Sequence, residues 1–155
     1  MNLTLPLDRL GVPAAQLKTN ATWHRTEVTD PTTHEVREIS GQRPVEWDAT
    51  FTQDLPGMRT SWGFEVYGGW RKTSYKSNEI ETYKLKTFVK PFLEWKPTSD
   101  ISVRFELPNV TERGFRNTRE VFNGPRGPGA LATTYDRDLQ FGRMYYVRLR
   151  KTFGG

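Results

Sequence analysis

The chain has 155 residues, which suits one domain, and its aromatic share of 13% is high for a disordered protein. A mean hydropathy of -0.72 excludes a transmembrane helix, and the absence of cysteine excludes disulfides, thiolate metal sites and cysteine nucleophiles. The net charge of +5 permits an acidic partner, but acidic and basic residues are interspersed, so a solvated basic face is the simpler interpretation.

Apolar and polar residues alternate with a period of two along most of the chain, which predicts strands rather than helices. Six long strands are predicted, near residues 17–28, 44–53, 61–71, 79–95, 101–110 and 140–153. Residues 1–16 are interpreted as a lead-in segment. Pro91 predicts a bulge in the fourth strand, because proline donates no ladder hydrogen bond. The predicted fold class is therefore all-β, an antiparallel meander of about six long strands.

The alternation gives the predicted sheet two unlike faces. One face is expected to be apolar, with Val45, Trp47, Phe51, Trp62, Phe64, Val66, Ile101, Val103, Phe105 and Leu107. The other is expected to carry charge, from Glu65, Lys84, Lys86, Arg104, Glu106, Arg148 and Arg150. Such a pattern is typical both of a soluble sandwich and of a membrane β-barrel.

The connections between the predicted strands alternate in length. Residues 54–57 predict a type II turn and residues 96–100 another short turn. Residues 29–43, 72–78 and 111–139 are interpreted as long polar loops. Six antiparallel strands would therefore place both short turns at one end of the sheet and all the long loops at the other.

Three features favour the membrane barrel over the sandwich. The predicted strands are longer than the mode of about 5–6 residues in soluble proteins. Short turns opposite long loops match the periplasmic and extracellular ends of outer-membrane barrels. Tryptophans near both ends of the strands would form aromatic girdles at the two water–lipid boundaries. These girdle residues are Trp47, Trp62, Trp70 and Trp95.

The ending GRMYYVRLRKTFGG, with the upstream segment RNTREVFNGPRGPG, resembles the C-terminus of TonB-dependent outer-membrane receptors. In that family the last strand carries a glycine, alternating apolar residues and a terminal aromatic residue. The matching positions are Gly142, Tyr145, Val147, Leu149 and Phe153. The segments RPVEWDATFTQDLPG and SWGFEVYGGW resemble the preceding hairpins, so the resemblance covers nearly the whole chain from about Leu17.

This resemblance implies a curved sheet that forms part of a transmembrane β-barrel in the bacterial outer membrane. Residues 17–155 would be the C-terminal part of the barrel, in contact with lipid and lipopolysaccharide. The plug domain, its TonB-contacting segment and most barrel strands of the family are missing, and six strands are fewer than the roughly eight of the smallest barrels. The chain is therefore expected to be a piece of a longer receptor, and two glycines follow the terminal aromatic residue.

In intact form, such a receptor would bind and import a scarce nutrient such as a siderophore or a glycan, with energy relayed by the TonB complex to the plug. The chain would supply wall and loops to the remaining barrel. The best candidates in the long loop for contact with an anionic ligand or lipopolysaccharide are Arg113, Arg116, Arg119 and Arg126. No nucleic-acid partner is expected in this interpretation.

No catalytic constellation or cofactor motif is found, so no enzyme is predicted. His24 and His34 are the only histidines and have no nearby carboxylate cluster, which argues against a metal site. The glycines of residues 124–129 lack the lysine and hydroxyl residue of a phosphate loop. The alternative function is a soluble all-β module that binds carbohydrate or single-stranded nucleic acid, and a need for detergent would separate the two.

Overall fold

The computed structural model describes residues 1–153, which form an all-β protein in which all neighbouring strands are antiparallel. The all-β, antiparallel part of the predicted fold class is confirmed, but the predicted strand number is wrong, because these residues form thirteen strands in three sheets. The strands are β1 (Asn2–Pro6), β2 (Ala15–Trp23), β3 (Val28–Thr29), β4 (Val36–Arg37), β5 (Val45–Leu55), β6 (Thr60–Tyr67), β7 (Trp70–Lys76), β8 (Glu79–Leu85), β9 (Phe88–Trp95), β10 (Ile101–Glu106), β11 (Gly114–Phe122), β12 (Leu131–Gln140) and β13 (Tyr146–Lys151).

Helical structure is confined to two single turns of 3-10 helix, Asp8–Leu10 and Pro56–Met58, within residues 1–153. None of the helical structure in this range has the length and apolar character needed to span a membrane. The turn at Pro56–Met58 lies where the sequence predicts a type II turn. That turn type is wrong, because the chain reverses through the 3-10 turn and through Arg59, which has a left-handed φ of 49°.

The largest sheet has seven strands in the order β1-β2-β5-β6-β9-β10-β13, so strands that are neighbours in space follow each other along the chain. Three excursions leave this sheet at the same end, and each contains a hairpin: β3–β4, β7–β8 and β11–β12. At the other end the connections 7–14, 56–59 and 96–100 are short. The interpretation of residues 1–16 as a lead-in segment misses β1, which pairs with β2 along its whole length.

The second sheet has four strands in the order β12-β11-β8-β7. Each strand of the second sheet is next in the chain to one strand of the large sheet: β7 to β6, β8 to β9, β11 to β10 and β12 to β13. The second sheet therefore has the same order in space as the strands β6, β9, β10 and β13 that it adjoins in the chain. The prediction that residues 111–139 form a loop is therefore wrong, because they contain most of a long hairpin. The prediction for residues 72–78 is wrong in part, because β7 extends to Lys76.

Pro91 lies in the middle of β9 without a bulge, which contradicts the prediction. The register between β6 and β9 is continuous through the pair Phe64 and Pro91. The Pro91 carbonyl accepts a hydrogen bond from the Leu107 amide, so the proline nitrogen also faces β10, beyond the last β9–β10 pair. The hydrogen-bond donor that proline lacks would therefore point beyond the β9–β10 pairing, and the pairing of β9 with β6 is undisturbed.

Register across the seven-stranded sheet places the apolar residues on one face, as predicted. One row of paired residues contains Leu17, Phe51, Phe64 and Pro91, and another contains Trp62, Leu93, Phe105 and Val147. Of the residues predicted for this face, all belong to it by strand alternation except Leu107, which follows the end of β10. We call this surface the apolar face and the opposite surface the polar face.

The apolar face is exposed. Leu93 is 45% exposed and Val147 67%, and within residues 1–153 no other sheet covers them. The accessible surface of 10695 Å² exceeds by about a third the roughly 8,000 Å² expected for a compact monomer of 18.0 kDa. The protein is therefore a single layer, without the apolar core of a sandwich.

At Gly63, a bulky side chain of the neighbouring strand lies over the backbone on the polar face of the sheet. Gly63 is paired with Phe92, one of the few buried apolar residues, and the Arg104 guanidinium stacks on the phenyl ring at 3.9 Å from its centroid. A Cβ atom at position 63 would collide with the Phe51 carbonyl oxygen and lie 2.9 Å from Phe92 Cζ. An aromatic side chain that covers a strand glycine in this way fixes the register of the two strands.

We expect Gly63→Ala to lower the free energy of unfolding by about 1–3 kcal/mol, because the added methyl group overpacks a site closed by backbone. The urea midpoint of the full chain in detergent micelles measures this change. Gly57→Ala is the matched control, since nothing lies within 4 Å of a Cβ at that position. An equal loss of stability in both variants would show that the packing of Phe92 on Gly63 is unimportant.

Candidate functional site

The polar face carries a network of charged side chains across three neighbouring strands. Lys90 Nζ lies 2.8 Å from a Glu65 carboxylate oxygen. Arg104 lies 3.5 Å from Glu65, 3.5 Å from Glu94 and 2.6 Å from Glu106. The five side chains are only 11–21% exposed. Because charges this close and this far from water attract strongly, the network ties β6, β9 and β10 together on this side.

The charged face predicted from the sequence is only partly continuous. Glu65, Arg104 and Glu106 lie on the polar face of the seven-stranded sheet, and the register places Arg148 opposite Arg104 and Arg150 opposite Ser102. Lys84 and Lys86 are wrongly placed by the prediction. Lys84 belongs to β8 in the second sheet, and Lys86 lies in the break between β8 and β9.

A cleft opens where the second sheet leaves the first, and we call it the junction cleft. It has a volume of about 440 Å³ and is lined by Asn20, Thr22, Arg43, Glu46, Trp47, Asp48, Tyr67, Gly68, Trp70, Phe88 and Arg113. The break between β6 and β7 creates it: the Gly68 amide donates to the Trp47 carbonyl at 2.8 Å, and the Gly69 amide donates to Thr87 Oγ1 at 3.0 Å. A side chain at position 68 would overlap the Trp47 indole, so any residue other than glycine there would have to displace that ring.

Four aromatic rings contribute to the walls of the junction cleft, and guanidinium groups stack on two of them. Tyr67 and Phe88 stack with their centroids 4.7 Å apart and an interplanar angle of 13°. The Arg113 guanidinium lies 4.0 Å from the Phe88 centroid, and that of Arg43 lies 4.0 Å from the Trp70 centroid. Stacking holds each guanidinium by its face and leaves the N–H groups at its edge free to donate.

Arg113 differs from the other arginines predicted to contact a ligand. Its side chain donates no hydrogen bond and forms no ion pair with any residue in the range 1–153. Burial lowers its pKa, because water is partly removed and no acidic partner replaces it. Its backbone is held by Asn109, a buried residue with a left-handed φ of 62° whose Oδ1 accepts the Arg113 amide at 2.7 Å.

The three excursions meet at a buried ion triad, which we call the tip clamp. Asp30 is fully buried and accepts hydrogen bonds from Arg37 Nε and Arg126 Nη2, both at 2.5 Å. The two guanidiniums lie 4.5 and 5.3 Å from the centroid of Tyr75. Arg126 also donates through Nε to the Lys76 carbonyl at 2.6 Å. The clamp therefore fastens β4 and the β11–β12 connection to the end of β7.

The charge state of Asp30 follows from these contacts. Burial raises the pKa of its carboxyl, but hydrogen bonds from Arg126, Arg37 and the amides of Thr32 and Thr33 outweigh that effect and hold the pKa well below its usual range. Asp30 is therefore ionised wherever the protein is folded near neutral pH.

The four arginines predicted as ligand contacts occupy four different environments. Arg113 lines the junction cleft. Arg116 pairs with Asp136 across the β11–β12 hairpin, and Arg119 pairs with Glu79, whose pKa this hydrogen bond lowers. Arg126 is only 5% exposed. Its guanidinium is committed to the tip clamp, and the structure brings no two of these arginines into one site.

The tryptophans predicted to form girdles are spread over both sheets. Trp62 and Trp95 lie on the apolar face near the short connections, and Trp47 lies on the same face beside the break at Gly68. Trp70 lies in β7, in the second sheet, where Arg43 stacks on its ring. Their contact with lipid boundaries stays a prediction.

The predicted features of the last strand lie at the open edge of the seven-stranded sheet. Val147 and Leu149 pair with Phe105 and Val103 of β10 and are 67% and 70% exposed. Tyr145 precedes β13 and Phe153 follows it, both strongly exposed, and Gly142 lies between β12 and β13. The two glycines after Phe153 lie outside the described residues. An assembly role for this strand stays a prediction.

Comparisons with protein-family models, curated proteins and solved structures found no match. In the part of the chain that the structure describes, no group of three or more histidine, cysteine, aspartate or glutamate residues could hold a metal ion. The two faces of the large sheet and the junction cleft are the features of the described residues that bear on function.

Proposed function

We propose that this chain forms the C-terminal wall segment of a bacterial outer-membrane receptor of the TonB-dependent type, which in intact form binds and imports a scarce nutrient. The observation that carries the proposal is the seven-stranded sheet, apolar and exposed on one face and crossed by an ion-pair network on the other. In an outer-membrane barrel, lipid covers the apolar face, and the polar face lines the lumen. Lipid and lipopolysaccharide would be the partners of the outer surface.

The two edges of the sheet support a place within a larger barrel. Among the described residues, β1 pairs only with β2, and β13 only with β10. Because seven antiparallel strands alternate in direction, β1 and β13 run the same way. An all-antiparallel barrel has an even number of strands, so closure needs an odd number of further strands. In the proposal these come from the rest of the receptor, which also supplies the plug and its contact with the TonB complex.

Single-cysteine labelling tests the proposal directly, because the native chain has no cysteine. Ala49 and Phe51 lie on the apolar face of β5, and Thr50 and Thr52 lie on the polar face. Each is replaced by cysteine, labelled with an environment-sensitive fluorophore and reconstituted in phosphatidylcholine–phosphatidylglycerol vesicles. We expect blue-shifted emission at positions 49 and 51 and water-like emission at positions 50 and 52, since only the first pair would face lipid.

The same four variants identify the alternative. A soluble carbohydrate- or nucleic-acid-binding module would stay in the supernatant without detergent and would give no alternation between the two pairs when vesicles are added. Either result contradicts the membrane proposal. A brominated lipid that quenches the fluorophore only at positions 49 and 51 would support it independently of the emission wavelength.

A further inference from the structure

We propose that the junction cleft binds a small aromatic carboxylate, whose carboxylate group is held by the Arg113 guanidinium. The inference names a ligand class for the receptor and rests on the proposed function for the identification of that ligand as a nutrient. The binding itself depends only on the cleft. A volume of about 440 Å³ falls within the usual range of small-ligand sites.

The unused hydrogen-bonding capacity of Arg113 points to a carboxylate as its ligand. Its guanidinium is half-buried on Phe88, and within residues 1–153 no acidic group pairs with it. A partly desolvated guanidinium gains more from an anion than one in open water does. The planar fork of N–H donors at its edge matches the two oxygens of a carboxylate.

The other charged groups of the cleft already have partners. Glu46 lies 3.8 Å from Arg43, and Asp48 accepts a hydrogen bond from Asn20 Nδ2 at 2.9 Å. Arg43 is held on the Trp70 ring, and Glu46 balances its charge. Arg113 is therefore the charged side chain of this cleft that has neither a hydrogen bond nor an ion pair among residues 1–153.

The aromatic residues that line the junction cleft favour a ligand that contains an aromatic ring. Tyr67 and Phe88 form a stacked pair, and Trp70 and Trp47 line the same cleft. Aromatic rings prefer offset-stacked or edge-to-face partners, and such pairs add to the effect of buried area. Because Tyr67 and Arg113 already stack on Phe88 and Arg43 on Trp70, a ring that carries its carboxylate directly would place the anion at Arg113 and contact the parts of these walls that remain open.

The test uses 4-fluorobenzoate as the probe and fluorine NMR line broadening as the readout, with the full chain in detergent micelles. We expect Arg113→Gln to weaken binding by about tenfold or more, because a charge-assisted hydrogen bond is lost. Arg113→Lys should bind with intermediate affinity, since it keeps the charge but loses the planar fork. The neutral analogue 4-fluorobenzamide should bind native protein at least about tenfold more weakly than the benzoate.

Arg59→Gln is the matched control. Arg59 lies at the opposite end of the sheet, where Nη1 donates to the Pro97 carbonyl at 2.6 Å, and its loss should leave the affinity unchanged. Equal affinity of native and Arg113→Gln protein would overturn the inference, as would equal affinity for the benzamide. Competition by inorganic phosphate as strong as that by benzoate would overturn the carboxylate assignment. If the probe does not bind but the fluorophores at positions 49 and 51 report lipid, only the ligand class is contradicted. If the probe binds but the protein does not insert into membranes, only the receptor proposal is contradicted.

Discussion

Replacing Asp30 by asparagine is expected to open the tip clamp and to destabilise the excursions by about 3–5 kcal/mol. The substitution leaves Arg37 and Arg126 close together without the carboxylate that neutralises them, and removing one partner of a buried ion pair carries a cost of this size. Native-state proteolysis with trypsin measures the effect, because Arg37 is a cleavage site whose side chain the clamp holds. Cleavage after Arg37 should accelerate strongly in the variant.

Asp136→Asn is the control for this experiment. Asp136 also pairs with an arginine, Arg116, but both side chains are about half exposed, so water screens the pair. Its removal should leave cleavage after Arg37 unchanged. Equal acceleration in both variants would contradict the special role of the buried triad.

The clamp also has a defined dependence on pH. Since the folded-state pKa of Asp30 is lowered, its stabilising effect is present above the unfolded-state value of about 3.9 and is lost as the pH falls towards the lower folded-state pKa. Between about pH 5 and 8 the stabilising effect of Asp30 should therefore be complete and constant, so its titration should not change the trypsin susceptibility of the native protein at Arg37.

An arginine on the apolar face is expected to prevent stable insertion into a bilayer. Ala49 lies in the middle of β5, paired with Thr19 and Val66 on that face. In the proposed barrel, Ala49→Arg would place a charge in lipid at a cost of about 2–4 kcal/mol. The fraction of protein that resists protease after reconstitution in vesicles should fall accordingly.

Thr50→Arg supplies the matched control one residue along the strand. Thr50 lies on the polar face between Lys18 and Glu65, so the same new side chain would face the lumen beside a carboxylate. Its insertion should be close to that of the native chain. If both arginine variants insert alike, or fail alike, the assignment of lipid to the apolar face is contradicted.

The two faces of the large sheet could be predicted from the sequence because strand alternation depends only on local order. Once Val45, Phe51 and Phe64 are in strands, the period of two decides which face each joins. The β11–β12 hairpin escaped prediction because its strands carry charge where one face should be apolar. Arg119 and Glu120 are consecutive in β11, and Asp136, Arg137 and Asp138 are consecutive in β12. Strand β1 escaped because it is short and ends at a proline.

The candidate site could be predicted only in part. The charge of Arg113 makes it a candidate in the sequence, but its place on Phe88 depends on how two sheets separate, which no local pattern encodes. The adjacent glycines Gly68 and Gly69 were the available signal of a break between strands. Asp30 was missed as a buried partner because Arg126 is 96 positions away along the chain. Its local turn with Pro31 gave no indication of that pairing.

The agreement between chain order and spatial order in the seven-stranded sheet has a kinetic consequence. Each new strand can dock on the one that precedes it in the sheet, but three of these dockings close an excursion, up to the 50 positions between Ile101 and Lys151. The tip clamp joins residues that are far apart in the chain, because the ion pair between Asp30 and Arg126 can form only once the β11–β12 hairpin is in place. We therefore expect the tight hairpins of the large sheet, such as β5–β6, to form before the pairs that span excursions, and the clamp to close late in folding.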